Sequence, residues 1–150
     1  MANVIPNSFR GSLFSAHHDF ASGGNTFKLA LYTAGSGAPY STSSTVYTSG
    51  TANQVGTSGT GYSTGGNTLT SQAVASSTAV ASVDFADTEW TSATFTAAYG
   101  VIYNSSTVDS TADRLVVVLD FGGNKTCTNG TFKITFPNPS TPADAILSMA

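Results

Sequence analysis

The pentapeptide Gly61-Tyr62-Ser63-Thr64-Gly65 has the G-x-S-x-G spacing of a hydrolase nucleophile elbow. That motif needs its serine on a strand-to-helix turn, with helix-terminal amides close enough to stabilise an oxyanion. The residues that follow, Gly66-Asn67-Thr68-Leu69-Thr70, do not read as a helix, so the serine lacks its donors. His17-His18-Asp19 brings two imidazoles and a carboxylate together in sequence. Adjacent helical residues point about 100° apart, which keeps both rings from serving one metal. These two histidines and one distant cysteine, Cys127, are too few ligands for zinc, and a histidine near a helix C-terminus is favoured by the dipole instead. Asp84, Asp87 and Glu89 form the densest acidic group, and Asp109 with Asp113 a second. Paired carboxylates can hydrolyse glycosides or hold Ca²⁺, but neither spacing matches a calcium loop, and acidic residues are common in turns. Asn104-Ser105-Ser106, Asn124-Lys125-Thr126 and Asn129-Gly130-Thr131 fit the glycosylation pattern. They read as turn chemistry, and Trp90 reads as core. The inventory predicts a non-enzymatic protein with no cofactor and no bound metal.

The composition excludes further classes. Charged residues make up 9% of the 150, with a net charge of −3, while Ser and Thr together fill 44 positions. The surface is therefore expected to be hydroxyl-rich and nearly neutral. Five dispersed Lys and Arg cannot supply the basic stripe that counterion release requires, so nucleic acid is not an expected partner. No apolar run of about 18 residues exists, and residues 1–20 lack a basic segment followed by an apolar one. Neither membrane insertion nor secretion is expected. A single cysteine forms no internal disulfide, which suits folding in a reducing compartment.

The elements that would have to position any site are mostly strands. Phe9, Leu13 and His17 lie four apart after Asn7, a good capping residue. One short helix is expected there, packing Phe9, Leu13 and Phe14 onto a larger body despite Gly11. After residue 24 the pattern alternates with period two: Phe27, Leu29 and Leu31 against Lys28, Ala30 and Tyr32; then Ala81, Val83 and Phe85. Phe95, Ala97, Tyr99, Val101 and Tyr103 form one face of a longer strand, and Phe132, Ile134 and Phe136 one face of another. Residues 115–121 are apolar on both faces, as in a central strand, and residues 145–149 suit a sheet edge. Turn signals stand at Ser22-Gly23-Gly24-Asn25, Gly65-Gly66-Asn67, Gly122-Gly123-Asn124, Asn129-Gly130 and Pro137-Asn138-Pro139. Asn129-Gly130 is the strongest hairpin signal. The expected fold is all-β, an antiparallel β-sandwich or jelly roll with one short N-terminal helix, forming a single domain over residues 1–150. Residues 1–24 make its N-terminal segment.

Residues 29–83 contain 55 positions without a formal charge, and residues 35–66 hold eight of the fifteen glycines together with Tyr40, Tyr47 and Tyr62. A free loop of this length is uncommon in a small domain. It reads either as irregular strands and wide turns tucked against the sandwich, or as an arm that orders on a neighbour, with tyrosines supplying contact area. On the second reading Tyr40, Tyr47 and Tyr62 are the candidate partner-binding residues. A contact around Ile5 and Phe9 is the other choice.

The stretches Met1-Ala2-Asn3-Val4-Ile5-Pro6-Asn7-Ser8-Phe9, His18-Asp19-Phe20 and Thr26-Phe27-Lys28-Leu29-Ala30-Leu31-Tyr32-Thr33 resemble small virion structural proteins of tailed bacteriophages. So do Gly59-Thr60-Gly61-Tyr62, Val83-Asp84-Phe85-Ala86-Asp87, Ile102-Tyr103-Asn104, Leu119-Asp120-Phe121-Gly122 and Asn129-Gly130-Thr131-Phe132. The resemblance spans nearly the whole chain. It departs at Gln54, where an acidic residue would be expected. It implies a non-enzymatic virion component made in the host bacterial cytoplasm. A small β domain without heptads or fibre repeats fits a capsid decoration, or cement, protein, binding the major capsid protein lattice and copies of itself as a homo-oligomer on the capsid surface. The alternatives are a neck or tail structural protein, and a glycan-binding adhesin in which Trp90 or a loop tyrosine stacks on a sugar.

Overall fold

A computed structural model describes residues 3–35, 37–76, 80–137 and 145–149; Asn138 and Pro139 of the expected Pro137-Asn138-Pro139 turn lie outside them. The elements run α1 (Asn7–Phe14), β1 (Phe27–Tyr32), β2 (Asn67–Thr68), β3 (Ala73–Ser76), β4 (Ala81–Asp84), β5 (Thr88–Asn104), β6 (Arg114–Ile134) and β7 (Leu147–Met149). All pairings between them are antiparallel. One sheet has the order β2-β1-β5-β6 and the other β3-β4-β7. The protein is all-β with one short helix, as its period-two patterning predicts, and the tail strand β7 does close an edge.

The helix ends earlier than its spacing suggests. Asn7 is its first residue rather than its cap. Pro6 holds the extended cap position, with φ −61° and ψ 145°, and no side-chain cap is made. At the other end Ala16 adopts φ 55°, the Ala16 amide donates to Leu13 O at 3.2 Å and the His17 amide to Ser12 O at 2.9 Å. This pair of bonds is a Schellman closure built on alanine instead of glycine. It turns the chain away at Phe14, leaving that ring exposed and not packed as expected.

β5 and β6 form one long hairpin whose tight turn is at Asp109 and Ser110, with φ 47° and 62°. Val108 and Thr111 exchange two backbone bonds of 3.0 Å across it, the two-residue arrangement that matches strand twist. Asn129-Gly130 is not a turn. The register passes from Ala93↔Gly130 to Phe95↔Cys127, and Asn129 at φ 46° occupies a bulge whose amide donates to Thr94 Oγ1 at 3.0 Å. Gly122 and Gly123 likewise lie inside β6, in an excursion between Tyr99↔Asp120 and Ala97↔Lys125.

That irregularity reverses the facing of β5. Phe95 and Ala97 belong to the main core, whereas Tyr99, Val101 and Tyr103 belong to a second cluster on the opposite face, and Ile102 rejoins the main core. The single alternating face expected from Phe95 to Tyr103 is therefore split. β1 is buried on both faces, not one, because Ala30 and Tyr32 lie under the segment 35–66. Gly66 shows how closely that segment approaches: at φ 74°, a Cβ there would overlap Leu29 O. Although residues 115–118 are buried on both faces, β6 is an outer strand of its sheet. Val4 covers part of its edge through paired backbone bonds with Val118 of 2.9 and 2.8 Å.

Candidate partner-binding groove

The residues singled out for chemistry are dispersed. Ser63 lies in an exposed turn, its carbonyl accepting from the Gly66 amide at 2.9 Å, and the following element is strand β2. His17 Nε2 meets Asp109 Oδ2 at 2.6 Å, while His18 turns inward to Asn104 Nδ2 at 3.3 Å. Asp19 instead accepts from the Ala21 amide. Asp87 pairs with Lys133 at 3.0 Å and accepts from the Phe136 amide; the ammonium and that amide hold its carboxyl below the usual range. Asp113 offers its carbonyl to the Tyr47 amide. Asn104 is fully buried, not a surface turn residue. Among the described residues no three His, Cys, Asp or Glu side chains gather as a metal site.

The tyrosines do not form an exposed arm. Segment 35–66 is tucked against the large sheet, and its hydroxyls are spent in holding it there. Gln54 Nε2 donates to Tyr47 Oη at 2.9 Å and Tyr62 Oη at 3.1 Å, and Gln54 Oε1 accepts from the Gly50 amide. Tyr62 Oη also accepts from the Leu31 amide at 3.1 Å, beneath Trp90 and Phe95. Tyr40, half-buried, packs edge-on to Tyr32. Burial raises the pKa values of Tyr32, Tyr47, Tyr62 and Tyr103. Tyrosine is often buried this way when its hydroxyl finds a partner, so ring count in an uncharged stretch does not distinguish a docking arm from a packed layer.

Ile5 and Phe9 do come together, on one wall of a groove of about 650 Å³. The helix and the residues beside it supply Ile5, Phe9, Leu13 and Phe20, and the small sheet supplies Val83 and Leu147 opposite. Among the described residues three large hydrophobic side chains are exposed: Phe14 at 95%, Met149 at 64% and Val74 at 58%. All three line this groove. Arg10 is the charged residue of its lining. A signal for Phe14 existed in the sequence: five residues from Phe9, it falls about 140° around the helix and cannot share the buried face. Val74 and Met149 gave no such sign, since which face of a short strand is covered depends on what packs above it.

Comparison of the chain with protein-family models, curated proteins and solved structures gives no match.

Proposed function

We propose that this chain is a non-enzymatic virion structural protein of a tailed bacteriophage, most specifically a capsid decoration protein that seats on the major capsid protein lattice. The observation that carries the reading is the convergence of Phe14, Val74 and Met149 on one apolar groove. On a nearly neutral surface, a concentrated apolar patch is the feature that marks a protein partner. The contact would use half-buried Ile5 with these rim residues; Phe9, as enclosed as Tyr47 and Tyr62, backs the groove wall from the core. Arg10 leaves a place for one acidic group on the partner.

The sequence resemblance supplies the virion context. For the adhesin alternative, Trp90 is 4% exposed and Tyr47 and Tyr62 are similarly enclosed, which leaves half-buried Tyr40 as its loop tyrosine. A neck or tail position uses the same kind of surface and differs in copy number. Quantifying this chain against the major capsid protein in purified particles tests the proposal. Hundreds of copies support decoration, whereas about six to twelve place it at the neck or tail, and none rejects a virion role.

A further inference from the structure

The wall of the groove made by the N-terminal segment is fastened to the β5–β6 hairpin at its far end. Asn104 directs Nδ2 towards His17 O at 3.1 Å, Asn25 Oδ1 at 2.9 Å and His18 Nδ1 at 3.3 Å. A backbone carbonyl can only accept, so the amide's orientation is settled, and Asn104 Oδ1 takes the Ser106 amide at 3.0 Å. The two amide hydrogens go first to His17 O and Asn25 Oδ1; His18 Nδ1, at 3.3 Å, can only share one of them and so carries no proton of its own. The neutral ring carries its proton on Nε2, which is buried without a hydrogen-bond partner.

Among the described residues no carboxylate pairs with the ring. It is faced by Phe9 of α1, Phe27 of β1, Phe20 of its own segment and Asn104 of β5. The nearby charges are Arg114 of β6 and, when protonated, His17. Asp109, the carboxylate that could help, is held by His17. A protonated His18 would set Nδ1–H against the Asn104 amide hydrogens and add a second positive charge to a buried site that already feels Arg114.

We propose that His17, His18 and Asn104 form an acid-released clasp, which holds the N-terminal wall of the groove against the hairpin while His18 is neutral and frees it when His18 takes a proton. Burial, Arg114 and His17 lower the pKa of His18 from 6.5 to about 4. Protons therefore bind the released segment more readily than the fastened one. The clasp rests on this geometry alone and does not depend on what the groove binds.

Hydrogen exchange on the intact chain, corrected for the intrinsic pH dependence of exchange, tests this. Reporters are the amides of His17 and Asn25, which donate to Ser12 O and Asp19 O, against the amides that pair β1 with β5. Between about pH 7.5 and 5, reporter protection should fall roughly tenfold and stay below that of the β1–β5 amides, which open only with the whole fold. His18→Gln, neutral and still able to accept from Asn104, should abolish the fall, whereas His17→Gln should not. Flat reporter protection, reporter protection equal to that of the β1–β5 amides at every pH, or an undiminished fall in His18→Gln would overturn the clasp. Should His18→Gln fail to fold, the ring resonances of His18 in the parent protein decide: a midpoint well below 6.5 supports the clasp and one at or above it rejects it.

Discussion

Tyr47 lies flat on Tyr103, with ring centroids 4.1 Å apart and planes 9° from parallel. This stack joins the uncharged segment 35–66 to β5 and makes that segment part of the fold. Tyr47→Ala should therefore cost about 3 to 5 kcal/mol, as for other buried aromatic truncations, read as a lower midpoint in chemical denaturation. A variant that keeps parental stability would mean that the segment is not held by this ring.

Gln54 ties two hydroxyls together, and its replacement separates hydrogen bonding from charge. Gln54→Leu leaves Tyr47 Oη and the Gly50 amide without their partner and should cost about 1 to 3 kcal/mol. Gln54→Glu can accept from the same hydroxyls and from Gly50, so at neutral pH it should stay within about 1 kcal/mol of the parent. Equal losses in both variants would show that the amide protons themselves are needed.

His18 makes stability pH-dependent. Its folded pKa of about 4 lies below the unfolded value of 6.5, so the unfolded chain binds more protons between those values and stability falls as pH falls through that window. The ring is buried, and after discounting for solvent screening the loss should reach about 2 kcal/mol, levelling off below about pH 4. Denaturation midpoints across this range should flatten in His18→Gln. A parental profile already flat would show that the ring is not held neutral.

Ala16 carries left-handed backbone at φ 55° without the freedom of glycine. Its side chain is exposed, so Ala16→Gly removes strain and loses little packing. The variant should be more stable by about 1 kcal/mol, with a higher thermal midpoint. A loss of stability would mean that the unfolded-chain entropy added by glycine outweighs the strain.

Phe14 contributes to the groove but hardly to the core. Phe14→Ser should leave stability within about 0.5 kcal/mol; on the proposed decoration role it should also weaken attachment to capsids, by about 1 to 3 kcal/mol if the ring is a buried anchor. Attachment should change little between roughly 0.05 and 0.5 M salt, because so few charges are available to be screened. Co-sedimentation with stripped particles reads both effects. Undiminished binding by Phe14→Ser would move the contact off the groove.

Local pattern alone determined the strands Phe27–Tyr32 and Ala81–Asp84, the position of the single helix and the all-β class, because period two and period 3.6 are written in consecutive side chains. The sequence also pointed to Ile5 and Phe9, which share the groove wall. It could not show that β5 changes facing after Ala97, where consecutive Ala98 and Tyr99 share one face, because that break in alternation is set by the register with β6. Asn129-Gly130 has the same left-handed freedom in a hairpin as in a bulge, and only the register with Thr94 chose between them. The fate of Tyr47 and Tyr62 was likewise settled by distant partners, Tyr103 and Leu31. The groove needed most from tertiary structure: its walls come from residues far apart in the chain, and a hydrophobic side chain is exposed or covered according to what folding places over it.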